Sequence, residues 1–192
     1  MPRRRYSWDD VMALAEDGDG AAAVAACLDF WDREGGVPPA SAEDGLRDFT
    51  RRLTVWDQIS LFVGEVDRRP HNARVWKLLG YAYMWAGLYI PALLRAAEQA
   101  FLVNAAHEDD EGRARNAEEK VELCRRALAG DEAARAEIAA GEEAFASPAD
   151  EIPAEVPMPA AFQVMGVVDR PALRVTAAVV APDLLDLLGP EE

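Results

Sequence analysis

The stretch VWKLLGYAYMWAGLYIPALL, residues 75–94, carries the clearest structural signal in the chain. From Leu78 to Leu94 it carries no charge, which reaches the lower length limit for a membrane-spanning helix. Gly87 and Pro91 interrupt it, so two short helices meeting at Gly87 give every residue an ordinary role, and no membrane insertion is expected. At about 100° per residue, Val75, Leu79, Ala82, Tyr83 and Ala86 form one apolar stripe on the first of these helices, and that stripe must face a core. A second stripe lies roughly opposite and comprises Arg74, Lys77, Tyr81, Met84 and Trp85. A surface helix does not normally spend a Tyr, a Met and a Trp on its outer side, so something covers that face.

Working outward, the same spacing recurs in Val24, Cys27, Leu28 and Trp31, in Trp56, Ile59, Val63 and Val66, and in Ala117, Val121, Cys124 and Leu128. Breakers divide the pattern into helices near 8–17, 20–33, 41–52, 55–68, 72–86, 89–103, 112–129 and 131–145. Turns inside successive helix pairs fall near Gly18, Thr54, Gly87 and Gly130, a degenerate repeat with intervals of 36, 33 and 43 residues. The last interval is lengthened by NAAHEDDEG. A helical hairpin of this size cannot bury its own stripe, whereas stacking one pair on the next makes a continuous core, which is the logic of a solenoid. ALAEDGDGAAAVAA from residue 13 also resembles ALAGDEAARAEIAA from residue 127. The expectation is an all-α domain of stacked antiparallel helix pairs over residues 1–146, a Pro-rich linker over 147–160 and a tail over 161–192.

Trp76, Leu79, Gly80 and Tyr83 stand in the opening Trp, Leu-Gly, Tyr spacing of the tetratricopeptide repeat, continued by Gly87, Tyr89 and Ala92, and over about 30 residues the chain resembles that family. Gly80 and Ala92 are then the small residues that let two helices approach closely. The chain departs from the family at Ala96, where an aromatic is usual; Phe101 stands nearby instead, and the closing proline is missing. The resemblance implies that the second stripe lines a concave groove for an extended peptide or a partner helix. One turn interval either way adds Arg51, Arg52 and Lys120 to Arg74, Lys77, Tyr81, Met84 and Trp85, so the groove is basic and aromatic. Packing of Met84 and Trp85 on a neighbouring pair or under the tail is the competing reading. Val66 to Leu94 is also loosely similar to the chaperones that hold translocator subunits of type III secretion.

Composition narrows the function. With 35 acids against 20 bases the net charge is -15, which argues against nucleic acid and anionic membrane, since both are bound chiefly through basic side chains. Cys27 and Cys124 cannot make a disulfide framework and fit a reduced, cytoplasmic setting. The sequence has no Gly-x-Ser-x-Gly turn, glycine-rich phosphate loop or Cys-x-x-Cys pair, and an enzyme is not expected. His71 and His107 are far apart in sequence, each without a second imidazole at ligand spacing, and the run Glu108–Glu111 reads as a solvated charge cluster, so no metal or cofactor is assigned. In the tail, 162–168 and 173–180 flank DRPA and suggest a β-hairpin, followed by the acidic APDLLDLLGPEE. The resulting expectation is a non-enzymatic adaptor or chaperone whose partner is another protein or peptide. The alternative is a structural subunit whose tail joins neighbouring chains. Homodimerisation and docking of the chain's own tail in the groove stay open.

Overall fold

In the computed structural model, which describes residues 6–33, 40–142, 152–167 and 172–175, the apolar stripes become helices. These are α1 (Trp8–Glu16), α2 (Gly20–Arg33), α3 (Ala40–Thr50), α4 (Val55–Arg68), α5 (Ala73–Ala86), α6 (Ala92–His107), α7 (Glu111–Leu128) and α8 (Glu132–Glu142). The chain is predominantly α-helical. Several of these starts have a side-chain cap. Ser7, Thr54, Asn72 and Asp110 accept backbone N–H bonds from Asp10, Asp57, Val75 and Arg113, so each satisfies one amide that the first helical turn leaves unpaired. Asp110 thereby gives the HEDDE run a structural role at the entrance of α7.

The uncharged stretch is two helices, as its breakers require. α5 stops at Gly87 and α6 begins after Pro91. Among the described residues no helix is long and apolar enough to cross a membrane. α5 and α6 pack closely, and α6 continues onto α7 and α7 onto α8. At the other end α1 packs on α2 and α2 on α3, while α4 leans on both α2 and α5. Trp76 and Tyr83 are 1% and 0% exposed, and they lie in one core with Leu79, Leu93 and Phe101. A Cβ on Gly80 would sit 2.9 Å from the Phe101 ring, so only glycine admits that ring. Ala92, expected to be the small residue between the two helices, is instead exposed. Residues 87–91 form a turn of their own, which delays α6, so the buried alanine that stands four residues before Phe101 is Ala97.

The two self-similar segments build the same turn. At Gly18 (φ 84°) the amides of Gly18 and Asp19 bond Ala15 and Leu14 carbonyls, and at Gly130 (φ 88°) those of Gly130 and Asp131 bond Ala127 and Arg126 carbonyls. Both are Schellman ends, in which the left-handed residue is glycine because a Cβ would be strained there. In both, the next aspartate then takes up amides of the following helix: Asp19 from Ala22, and Asp131 from Ala133 and Ala134.

The tail departs from the expected hairpin. Ala160–Val164 is a short helix, α9, where a strand was anticipated, and Phe162 is fully buried between Trp76 and Tyr83, with ring centroids at 5.7 and 6.4 Å. Pro159 (φ -57°) precedes it, and Asp67 Oδ1 accepts the Ala160 amide at 3.0 Å, which together set the first turn. The only sheet among the described residues pairs β1 (Glu155–Pro157), from the Pro-rich segment, antiparallel with β2 (Ala172–Arg174). Val156 and Met158 are buried, and Tyr83 donates its hydroxyl to the Pro157 carbonyl at 2.6 Å. The second expected strand beyond 175, the last residues of the helix expected to end at 145, and the acidic segment 181–192 lie outside the described residues.

Candidate functional site

The second stripe of α5 forms a wall of a cavity of about 460 Å³. Arg74, Lys77, Tyr81, Met84 and Trp85 all line it, as does Lys120 from α7. Arg51 and Arg52 do not. They follow the last residue of α3, in the turn before α4, where Arg51 faces Asp48 and Arg52 donates to the Ala15 carbonyl at 3.0 Å. The arginine that α3 does bring to the cavity is Arg47, one helical turn earlier than Arg51. Trp31 of α2, Gln58 and Phe62 of α4, and Ile138 and Glu137 of α8 also line it, and the sequence assigns none of these to the site.

Depth divides the cavity into an apolar floor and a charged upper wall. Met84 and Trp85 are only 3% and 4% exposed, because α8 folds back so that Gly141 abuts the Trp85 indole and Ile138 joins the lining. The stripe is thus partly covered by packing within the chain and partly open. Tyr81 and Lys77 remain half-buried, as do Arg74 and Lys120, while Arg47 is exposed. Tyr81 stacks on Trp85 at 5.5 Å and meets Phe101 edge-on at 5.2 Å, so its ring is held from two sides, and burial pushes its hydroxyl pKa above the usual phenol value. The Arg74 guanidinium lies 3.3 Å from the centre of the Trp31 ring, a cation–π contact that fixes both groups. Gln58 and Thr50 spend their polar atoms on backbone carbonyls: the Gln58 amide donates to Thr50 and Leu53, and the Thr50 hydroxyl to Leu46.

Charge is segregated here. Among the described residues the cavity wall holds Arg47, Arg74, Lys77 and Lys120 against the single acid Glu137, in a chain whose net charge is -15. The described part of the tail does not enter it. Trp76 and Tyr83, which carry the tail, stand about 180° around α5 from Arg74, Tyr81 and Trp85, so the tail and the cavity occupy opposite faces of one helix.

Other chemistry-bearing residues serve elsewhere. Cys27 and Cys124 are buried, and burial pushes both thiols up to about 12; Arg74 opposes that rise at Cys27, and at Cys124 Glu98 adds to it and Lys120 opposes it. His71 and His107 are neighbours in space, contrary to their separation in sequence, with ring centroids 5.2 Å apart. The start of α5 lies beside the end of α6, where Asn104 donates to the Ala73 carbonyl, and this brings the two imidazoles together. Among the described residues no group of three or more His, Cys, Asp or Glu is placed to hold a metal ion. Comparison with protein-family models, with curated proteins and with solved structures finds no match.

Proposed function

We propose that this chain is a non-enzymatic protein-interaction module, an adaptor or chaperone, that holds an extended or helical segment of another protein in the cavity between α3, α5, α7 and α8. The observation that carries this reading is the convergence of four cations from three helices, above an aromatic floor, on one concavity of an acidic chain. The architecture is that of a tetratricopeptide-like solenoid. Supporting this are the burial of Trp76, Leu79, Gly80 and Tyr83, the Phe101 ring seated on Gly80, and Ala97 four residues before it, a small-then-aromatic pair displaced by the turn at 87–91. In this reading the setting is cytoplasmic, and the narrower role resembles that of a secretion translocator chaperone.

The test is capture of partners by the purified wild-type chain and by Lys77→Glu/Lys120→Glu, with mass spectrometry of what co-elutes. These two side chains are half-buried, so their reversal leaves the floor intact. The double variant loses the captured protein at unchanged helicity; persistence of capture counts against the site. The alternative, a structural subunit joined through its tail, draws on Val164 and Met165, an apolar pair that is 89% and 47% exposed at the end of α9. Light scattering of the pure chain separates the two: a monomer or small dimer fits the adaptor, and open-ended assembly relieved by Val164→Ser fits the subunit.

A further inference from the structure

Building on the reading of the cavity as a segment-binding site, we infer that its ligand is an acidic stretch of protein in which a bulky apolar side chain stands between several carboxylates. Met84, Trp85 and Ile138 are nearly inaccessible and apolar, so the group that reaches them must be apolar, since an unpaired polar group there would lose its water without replacement. A volume of about 460 Å³ suits a few side chains and not a folded surface.

Above the floor the chemistry changes sign. Lys77 of α5 and Lys120 of α7 are half-buried, and Arg47 of α3 is exposed, so each of three helices sends one cation to the upper wall. Neither Arg47 nor Lys120 makes an ion pair among the described residues, whereas Arg125 and Arg126, on the same helix as Lys120, are paired with Glu98 and Asp131. Arg74 is engaged with Trp31 and contributes mainly to the potential. Against Arg47 and Lys120, on a wall where Glu137 is the one acid among the described lining residues, a single small carboxylate meets one and leaves the other, while a segment with acids flanking its anchor meets both in one event. Duplex or single-stranded nucleic acid is disfavoured, because its long phosphate chain would lie against the rest of a strongly acidic surface. A basic segment would meet the wrong sign at every rim position.

The experiment is selection of random dodecapeptides displayed on phage against the full-length chain. Enriched sequences are expected to carry two or more Asp or Glu around a Leu, Ile, Met, Phe or Trp. A synthetic peptide from that pool is expected to lose at least tenfold in affinity on Lys77→Glu/Lys120→Glu, at least tenfold when its acids become amides, and to gain on Glu137→Lys. Enrichment of neutral or basic peptides that still need Tyr81 overturns the ligand chemistry and leaves segment binding standing. Enrichment of nothing overturns both. Phenylacetate binding as tightly as the acidic peptide makes the ligand a free aromatic acid and overturns the inference.

Discussion

Replacing Trp76 by alanine is the sharpest test of how the helices hold together. The side chain is 1% exposed, sits in the common core, and packs its ring against Phe162 of the tail at 5.7 Å, so its removal opens a cavity between the helical core and the tail. Truncation of a buried aromatic to alanine costs ~3–5 kcal/mol, which combines the lost transfer energy with the void that neighbours cannot fill. The indole also donates to the Pro70 carbonyl at 2.7 Å, a bond with a net worth of ~1 kcal/mol. Trp76→Ala should therefore fall at the upper end of that range. Trp76→Phe, which keeps most of the packing and loses the bond, should cost roughly 1–2 kcal/mol from the unmade bond and a small residual void. Urea denaturation followed by circular dichroism at 222 nm measures both, and an unchanged slope with denaturant shows that the unfolding transition is the same one. Phe162→Ala combined with Trp76→Ala should be less than additive, with a coupling of ~0.5–1.5 kcal/mol for the ring pair. A loss below about 1.5 kcal/mol for Trp76→Ala, far under the buried-aromatic range, refutes the placement of this residue at the junction of α5 and the tail.

Three further outcomes follow from the geometry. Arg69 and Glu65 have side chains 8% and 5% exposed and share a network with Asp29 and Asp32, so Arg69→Met leaves the buried Glu65 paired with Arg68 alone and should cost up to ~3–5 kcal/mol, recovered in large part by adding Glu65→Leu, as equilibrium unfolding will read. Cys27 and Cys124, with thiols pushed up to about 12 by burial, should resist Ellman's reagent at pH 8 in the native state and both react in 6 M urea; rapid native labelling would contradict their burial. Asp131 is held below the usual carboxylate value by its hydrogen bond from Arg126 and by the amides of Ala134 and Ala133. A depressed folded-state value means that its contribution is present above the unfolded value and is lost as pH falls through the folded one, so the protection factors of α8 amides, taken relative to intrinsic exchange at each pH, should fall below about pH 4 in the wild type and lose that dependence in Asp131→Asn.

How much of this could be read in advance depends on the range of the interaction. Helix positions are local: the 3.6-residue stripes, Gly18, Gly130, Asn72 and the Gly87–Pro91 break each act within a few residues of themselves, and the helices formed where those signals stood. The α5 wall of the cavity was legible for the same reason, because an aromatic stripe opposite the core stripe is a property of one helix. Arg51 and Arg52 failed because counting a turn interval ignores where α3 ends, and past Thr50 the chain no longer points side chains along the helix face. Arg47 carried the available signal, one turn back on that helix. α9 was out of reach of sequence reasoning. Phe162 reads as a strand residue until Trp76 and Tyr83, about eighty positions earlier, offer it two aromatic faces and Asp67 takes the Ala160 amide. His71 and His107 became neighbours through the same non-local packing. The covering of Trp85 by α8 likewise required knowing that the last helix folds back.

Site-specific photo-crosslinking measures the central proposal most directly. With p-benzoylphenylalanine placed at Tyr81, inside the cavity, irradiation of the chain bound to its captured partner should yield one adduct that maps to a single acidic segment of that partner. The same probe at Leu102, an exposed position on α6 that does not line the cavity, should yield none. Equal adducts at both positions, or an adduct at Leu102 alone, would contradict the assignment of this cavity as the docking site.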